Sequence, residues 1–364
     1  MNNDSKRYVS KPVVMKPAFE ENNIPIALAA NNYFIPYTAT LLQSIIDNAS
    51  NENNYDILVL TQDIKEDSKK RIQSMLAAHP NFSVRYADPS YLMEGYNFCV
   101  KDHFSLQTYY RLVLPELIPE YDKIIYLDSD MIVMTDIAEL YYTDVEGYLV
   151  AACLDPDTAG LYNGYAKDKK SFMNNVMKLE NPYSYFQAGT LVLNLKEFRK
   201  TYTMKYVLDF AVSEMWQLLD QDILNCLCKN KVKYVDMSWN VMVDYGGFRI
   251  KDIIGRAPQW MYKMYMEARK HPKMIHYAGP EKPWSSPEMD MGDVFWSYAR
   301  KTGFYEVMLY RMSCSVVKEY AGKPTKPRQF ILKLKKNLLP YGTRRYAVLK
   351  RVKQMIFLGD KANE

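Results

Sequence analysis

Two aspartates one residue apart close an apolar run in Tyr126-Leu127-Asp128-Ser129-Asp130. In extended backbone, residues i and i+2 face the same way, so both carboxylates point together. Two like charges so placed raise each other's pKa unless they share a cation, and a hard divalent ion with oxygen ligands meets that need. A plain polar turn after a strand has the same residues, and the pattern alone leaves both readings open. His276 offers a third ligand, within Met274-Ile275-His276-Tyr277-Ala278-Gly279-Pro280-Glu281-Lys282-Pro283-Trp284. Gly279 would let backbone approach a diphosphate there, and Lys282 would neutralise it. A lone histidine serves equally as a structural residue, and Trp284 as a packing residue.

These side chains need elements that carry them to one edge of the molecule. Short apolar runs read as buried strands at Ile24–Ala30, Asp56–Thr61, Phe82–Tyr86 and Lys123–Leu127. Helical patterns lie between them: one opening at Pro36, one over Ser68–Ala78, and one over Leu106–Leu117 that stops near Pro119. Strands alternating with helices predict an α/β fold with a mostly parallel sheet, whose ligands sit beyond the carboxyl ends of the strands. That rule selects Asn31–Phe34 and Asp128–Asp130. The second half is more mixed, with strands at Leu149–Leu154 and Thr190–Leu195 and helical stretches at Glu197–Leu219 and Asp220–Lys229.

Five segments in order, AANNYFIPYTATLLQSI from Ala29, TYYRLVLPELIPEYDKIIYLDSDMIV from Thr108, YFQAGTLVLNLKEFR from Tyr185, DQDILN from Asp220 and HYAGPEKPW from His276, span residues 24 to about 290. With these motifs the chain resembles glycosyltransferase family 8, which includes bacterial lipopolysaccharide galactosyl- and glucosyltransferases and glycogenin. The resemblance implies a GT-A fold, a UDP-hexose donor, Mn²⁺ with Mg²⁺ as the other choice, and retention at the anomeric carbon. It implies Asp128, Asp130 and His276 as metal ligands, with Ser129 between them in the donor site. Gly279 and Lys282 match the diphosphate contacts, and Ala30, Asn31 and Phe34 the uridine-binding loop. Arg111, Gln187, Asp220 and Gln221 match residues around the donor sugar and are the expected catalytic residues, with Asp220 and the Gln187 and Gln221 amide oxygens facing the oxocarbenium-like sugar. His103 and Asp155 match the acceptor side, although Asp155 in Leu154-Asp155-Pro156-Asp157 is equally a turn residue. Two departures stand out: Asn31 replaces the usual Asp, and Gln187 lengthens the usual Asn. Both keep hydrogen-bonding chemistry, so altered sugar specificity is expected rather than lost activity.

The charge distribution sets further expectations. The net charge is +5, yet residues 320–359 hold 11 Lys or Arg and no Asp or Glu, so the body is mildly acidic and no nucleic-acid partner is expected. The expected organisation is a polar leader over 1–23, a glycosyltransferase domain over 24–305 (nucleotide-binding to 145, acceptor and catalytic from 146), and a basic helical tail over 306–364. Within the tail, Ile331, Leu334 and Leu338, then Leu349, Val352 and Ile356, follow amphipathic spacing. Such a tail fits an anionic membrane surface and a glycan or lipid-linked oligosaccharide acceptor; a solvated helical appendage fits it as well. The five cysteines match no zinc or redox spacing and read as thiols. No signal peptide and no apolar run of about 18 residues is visible, so a cytoplasmic enzyme is expected, peripheral on the inner face of the cell membrane. Two other functions fit less of the sequence. A non-catalytic nucleotide-sugar or glycan scaffold of the same fold has only Asn31 and Gln187 in its favour. A nucleotidyltransferase would want a Gly-rich basic loop where Asn31-Asn32-Tyr33-Phe34 stands.

Overall fold

The computed structural model describes residues 15–100 and 106–322, with side chains to 314. His103, most of the polar leader and the basic stretch 323–358 lie outside the described residues. The chain divides into two compact units, one ending at Met308 and the other beginning at Leu309. Among the described residues, no helix is long and apolar enough to cross a membrane.

Among the described residues, ten strands build the first unit: β1 (Asn23–Ala29), β2 (Asn54–Leu60), β3 (Phe82–Ala87), β4 (Lys123–Leu127), β5 (Met131–Val133), β6 (Val150–Leu154), β7 (Phe186–Asn194), β8 (Val232–Tyr234), β9 (Val241–Met242) and β10 (Met274–His276). Seven form a central sheet in the order β3-β2-β1-β4-β7-β6-β8. Only β7 runs against its neighbours β4 and β6, so the sheet is mostly parallel, and helices flank it. Strands β1, β2 and β4 are buried along nearly their whole length, as expected for parallel strands covered on both faces. Their apolar runs are therefore continuous rather than alternating.

Strand order reverses between β1 and β4. The two strands pair directly, while β2 and β3 continue to one side and β7 to the other. Such a switch point leaves a crevice at the carboxyl ends of the strands. Ser129 spans it, its hydroxyl donating to the Ala29 carbonyl at 2.7 Å.

A second sheet of three strands, β5-β10-β9, was not visible as periodicity, because its strands are two or three residues long. Two helical expectations also change. The Leu106–Leu117 segment is a tight 3-10 helix over Leu106–Val113 followed by a single α-turn, Leu114–Leu117. Pro115 lacks an N–H and crowds the residue before it, which interrupts the α-helical ladder there. The Glu197–Leu219 stretch is two helices, Leu195–Thr201 and Met204–Ala211. Asn194 caps the first and Thr203 the second, so a new helix starts where the pattern seemed to continue.

Candidate active site

The register of the small sheet brings the histidine to the aspartates. In the β5–β10 ladder His276 pairs with Met131, the residue after Asp130. The Tyr277 N–H extends that ladder to the Asp130 carbonyl at 3.0 Å. His276 Nε2 lies 3.4 Å from Asp130 Oδ1 and 3.8 Å from Asp128 Oδ2. One ligand atom from each of the three residues falls within 4.8 Å of the others.

Several features suit these residues to a divalent cation. His276 Nδ1 sits 3.0 Å from Asn240 Oδ1, while Asn240 Nδ2 donates to Gln187 Oε1 at 2.7 Å. The amide is thereby oriented with its oxygen toward the ring, so Nδ1 carries the proton and the Nε2 lone pair faces the carboxylates. Gly189 leaves the space: a β-carbon there would fall 2.6 Å from His276 Cε1 and 2.8 Å from Asp128 Oδ2. Burial by itself would raise the Asp130 pKa, yet the group is held well below the usual carboxylate range, chiefly by the adjacent Lys282 cation. Lys282 Nζ donates to Asp130 Oδ2 at 2.5 Å and to the Tyr277 carbonyl at 2.7 Å. Gly279 follows at a φ of +106°, a conformation that favours glycine.

Arg111 lies beneath the pair. It is buried, with Nη2 2.7 Å from Asp128 Oδ1 and Nε 2.9 Å from Asp220 Oδ2. Nη1 donates to the Ala188 carbonyl, and the guanidinium sits 4.1 Å from the Tyr126 ring centroid. Arg111 thus ties β4, β7 and the helix Asp220–Leu227 together. Burial pushes the Asp220 carboxyl up to about 6, against the opposing pull of Arg111 and Thr108. Thr108 Oγ1 donates to it at 2.5 Å.

The two glutamines are engaged within the protein. Gln187 Oε1 accepts from the Gly189 N–H as well as from Asn240. Gln221 Oε1 accepts from the Ala188 N–H at 2.8 Å, and its Nε2 donates to Asp155 Oδ2 at 3.0 Å. Asp155 caps the short helix Pro156–Gly160 through the Thr158 N–H and hydroxyl. The turn reading of Asp155 is thus observed as a helix cap, made by a buried side chain that also meets Gln221.

At the other end of the crevice, Ala30 continues the β1–β2 ladder by donating to the Leu60 carbonyl. Asn31 Oδ1 accepts from the Phe34 N–H at 3.0 Å, shaping the entry to the helix Ile35–Asn48. Trp284 stacks on Tyr37 at 3.8 Å and meets Phe34 edge-on, which joins the segment after His276 to that loop. Asn240 and Gly189 carry roles that their sequence did not reveal. Gly189 stood inside a recognised motif, whereas nothing local to Asn240 marked it.

The profile of "Glycosyl transferase family 8" matches residues 25–288. A Haemophilus influenzae protein named a glycosyltransferase is 30% identical over 263 residues, covering 71% of this chain and 72% of the relative. The bifunctional glycosyltransferase WbbM shares 30% identity at a TM-score of 0.75 over 83% of this chain, which spans about half (53%) of WbbM. The galactosyltransferase LgtC, solved with donor and acceptor sugar analogues, has the same fold, with a TM-score of 0.62 at 24% identity over 77% of this chain and 96% of LgtC. With a GT-A fold, an acidic pair and imidazole converging at the sheet's switch point, and a family profile that covers most of its length, the chain belongs to glycosyltransferase family 8.

Proposed function

We propose that this protein transfers a hexose, glucose or galactose, from a UDP-sugar to a glycan or lipid-linked oligosaccharide, with retention at the anomeric carbon. The observation that carries this reading is the convergence of Asp128, Asp130 and His276 beside Lys282 at the switch point between β1 and β4. In this reading Asp128, Asp130 and His276 would hold Mn²⁺, which accepts carboxylate oxygens, while the imidazole disfavours the harder Mg²⁺ and Ca²⁺. The bound ion would neutralise charge on the diphosphate as its bond to the sugar breaks.

The protein's own groups supply the rest. Lys282 Nζ is already held next to Asp130, from where it would meet the diphosphate oxygens. The strand end Ala30–Phe34 receives the uridine. Arg111 and Asp220 line the sugar side, and Arg111 holds Asp128 in place. Gln187 and Gln221 act as positioning residues, since their amide oxygens are bound to backbone N–H groups.

Retention through a covalent intermediate needs a free carboxylate close to the anomeric carbon. Asp155 accepts from Thr158 and Gln221, and Asp220 from Thr108 and Arg111. Engagement of both favours same-face attack, in which the leaving phosphate takes the acceptor's proton. A sugar ester trapped on Asp155 or Asp220 would overturn that scheme.

In the proposed organisation, residues 24–145 bind the donor and 146–305 the acceptor, while the basic tail places the enzyme on the inner face of the membrane. Deleting residues 323–364 should abolish co-sedimentation with anionic liposomes; unchanged binding removes the anchor. For the reaction, a panel of UDP-sugars with Mn²⁺ is scored for UDP release. One hexose donor should support release, and Asp130→Ala should lower it by on the order of 10³-fold or more. A non-catalytic scaffold would release none.

A further inference from the structure

Arg249 lies outside the groups named so far, yet it joins the donor and acceptor sides. It is 3% exposed and opens the helical turn Arg249–Ile253. Its Nη1 donates to the Val243 carbonyl at 2.7 Å and to the Ala278 carbonyl at 2.8 Å. Its guanidinium carbon stands 4.3 Å from the Tyr245 ring centroid. A β-carbon on Gly279 would fall 2.9 Å from Tyr245 Cε1 and 3.2 Å from Arg249 Nη2. The Ala278–Gly279 turn, which begins two residues after His276, therefore rests on the Arg249–Tyr245 stack.

On its other side Arg249 Nε lies 3.2 Å from Asp157 Oδ2. Asp157 is two residues after Asp155, in the short helix that Asp155 caps. That helix is locked to the Arg249 turn by backbone: a β-carbon on Gly160 would fall 1.9 Å from the Ile253 carbonyl oxygen. The Arg249–Asp157 contact is an ion pair rather than an aligned hydrogen bond, for Arg249 Nε and Asp157 Oδ1 are both buried with no hydrogen-bond partner among the described residues. The Arg249 side chain is 4% exposed and Asp157 18%, and a charge so far removed from water is costly to desolvate unless it is paired. A packing role alone would be served by apolar side chains.

We infer that Arg249 is a positioning residue that sets the Ala278–Gly279 turn against the donor diphosphate and, through Asp157, couples that turn to the acceptor segment at Asp155. This rests on the transferase reading above. Lysine in place of Arg249 keeps the charge facing Asp157 but lacks the planar fork that reaches two carbonyls and stacks on Tyr245. Asparagine in place of Asp157 keeps the shape and removes the charge.

The full chain, Arg249→Lys and Asp157→Asn are compared by calorimetric titration with UDP in the presence of Mn²⁺, by donor and acceptor KM and kcat, and by thermal melting. Arg249→Lys should weaken UDP binding and raise the donor KM by on the order of 10-fold or more, with a smaller change in kcat. Asp157→Asn should raise both KM values, the donor's included, although the residue sits on the acceptor side. Variants that melt like the native chain and keep its UDP affinity and donor KM would overturn the inference, as would full rescue by lysine. Should Arg249→Lys fail to fold, the isosteric Asp157→Asn decides alone. If the native chain itself releases UDP from no donor, the transferase reading fails, while the UDP titration still judges the positioning role.

Discussion

The cluster proposed to hold the metal and the segment proposed to face the acceptor are assembled by different means. Asp128, Asp130 and His276 are placed by backbone, through the end of β4, the start of β5 and the antiparallel register that sets His276 across from Met131. Asp155 and its neighbours are placed by side chains: a helix cap, the Gln221 amide that spans from Ala188 to Asp155, and the Arg249–Asp157 ion pair. A site set by backbone register leaves little room for added volume. A site set by a polar network loses accuracy by degrees as single bonds are removed.

Substitutions at the two regions can break or sharpen this contrast. The largest effect is expected from Gly189→Ala, whose methyl group would press on the His276 ring, on Asp128 Oδ2 and on Met131 Cε at 2.8 Å. UDP release should fall at least about 100-fold, since small misplacements of reacting groups are costly. Near-native release would show that the cradle yields and is not set by backbone. Asn240→Ala comes next. Loss of the group that holds the His276 tautomer should raise the Mn²⁺ concentration for half-maximal UDP release by about 10- to 100-fold, leaving the saturated rate closer to native. An unchanged metal titration would remove Asn240 from the ligand-orienting role.

A pH profile probes Asp220, which pairs with Arg111 beneath Asp128. The Asp220 carboxyl lies at about 6, above its ordinary 3.8, because burial disfavours its charged form. Its ionised form therefore costs stability above about pH 6, and that cost is relieved as pH falls from 6 toward 3.8. Activity should run the other way: below pH 6 the protonated group no longer balances Arg111, and UDP release should drop about tenfold per pH unit. Asp220→Asn should be slow and lack this acid limb; an identical limb in the variant would assign it to another group. The smallest effect is expected from Gln221→Ala. It removes one bond to Ala188 and one to Asp155, yet transfer should stay measurable, with a raised acceptor KM. Complete loss of transfer would place Gln221 in the chemistry itself.

Legibility in the sequence follows the same division. Strand β4 has the bounds read from its apolar run, Lys123–Leu127, and it delivers the aspartate pair to the sheet edge, where the chain bends at Ser129 and Asp130 instead of staying extended. The parallel strands β1 and β2 were equally plain, because burial on both faces writes a continuous apolar run. The strand read as Thr190–Leu195 begins earlier, at Phe186, and so carries Gln187, Ala188 and Gly189 alongside the end of β4. The 3-10 turn under Arg111 was hidden by a helical apolar pattern that a single proline interrupts.

The sequence by itself determined which segments alternate as strand and helix, where the acidic pair falls, and that motifs of one enzyme family occur in order. Only the tertiary structure decided that His276 meets that pair through strands too short to leave a period. It alone showed that Asn240 fixes the imidazole, that Gly189 is required for space, and that Arg111 serves Asp128 and Asp220 together. The physical reason is range. Periodicity and turn chemistry act between residues a few positions apart, whereas a ligand cradle and a buried ion pair depend on which distant segments pack against one another, and no local pattern carries that information.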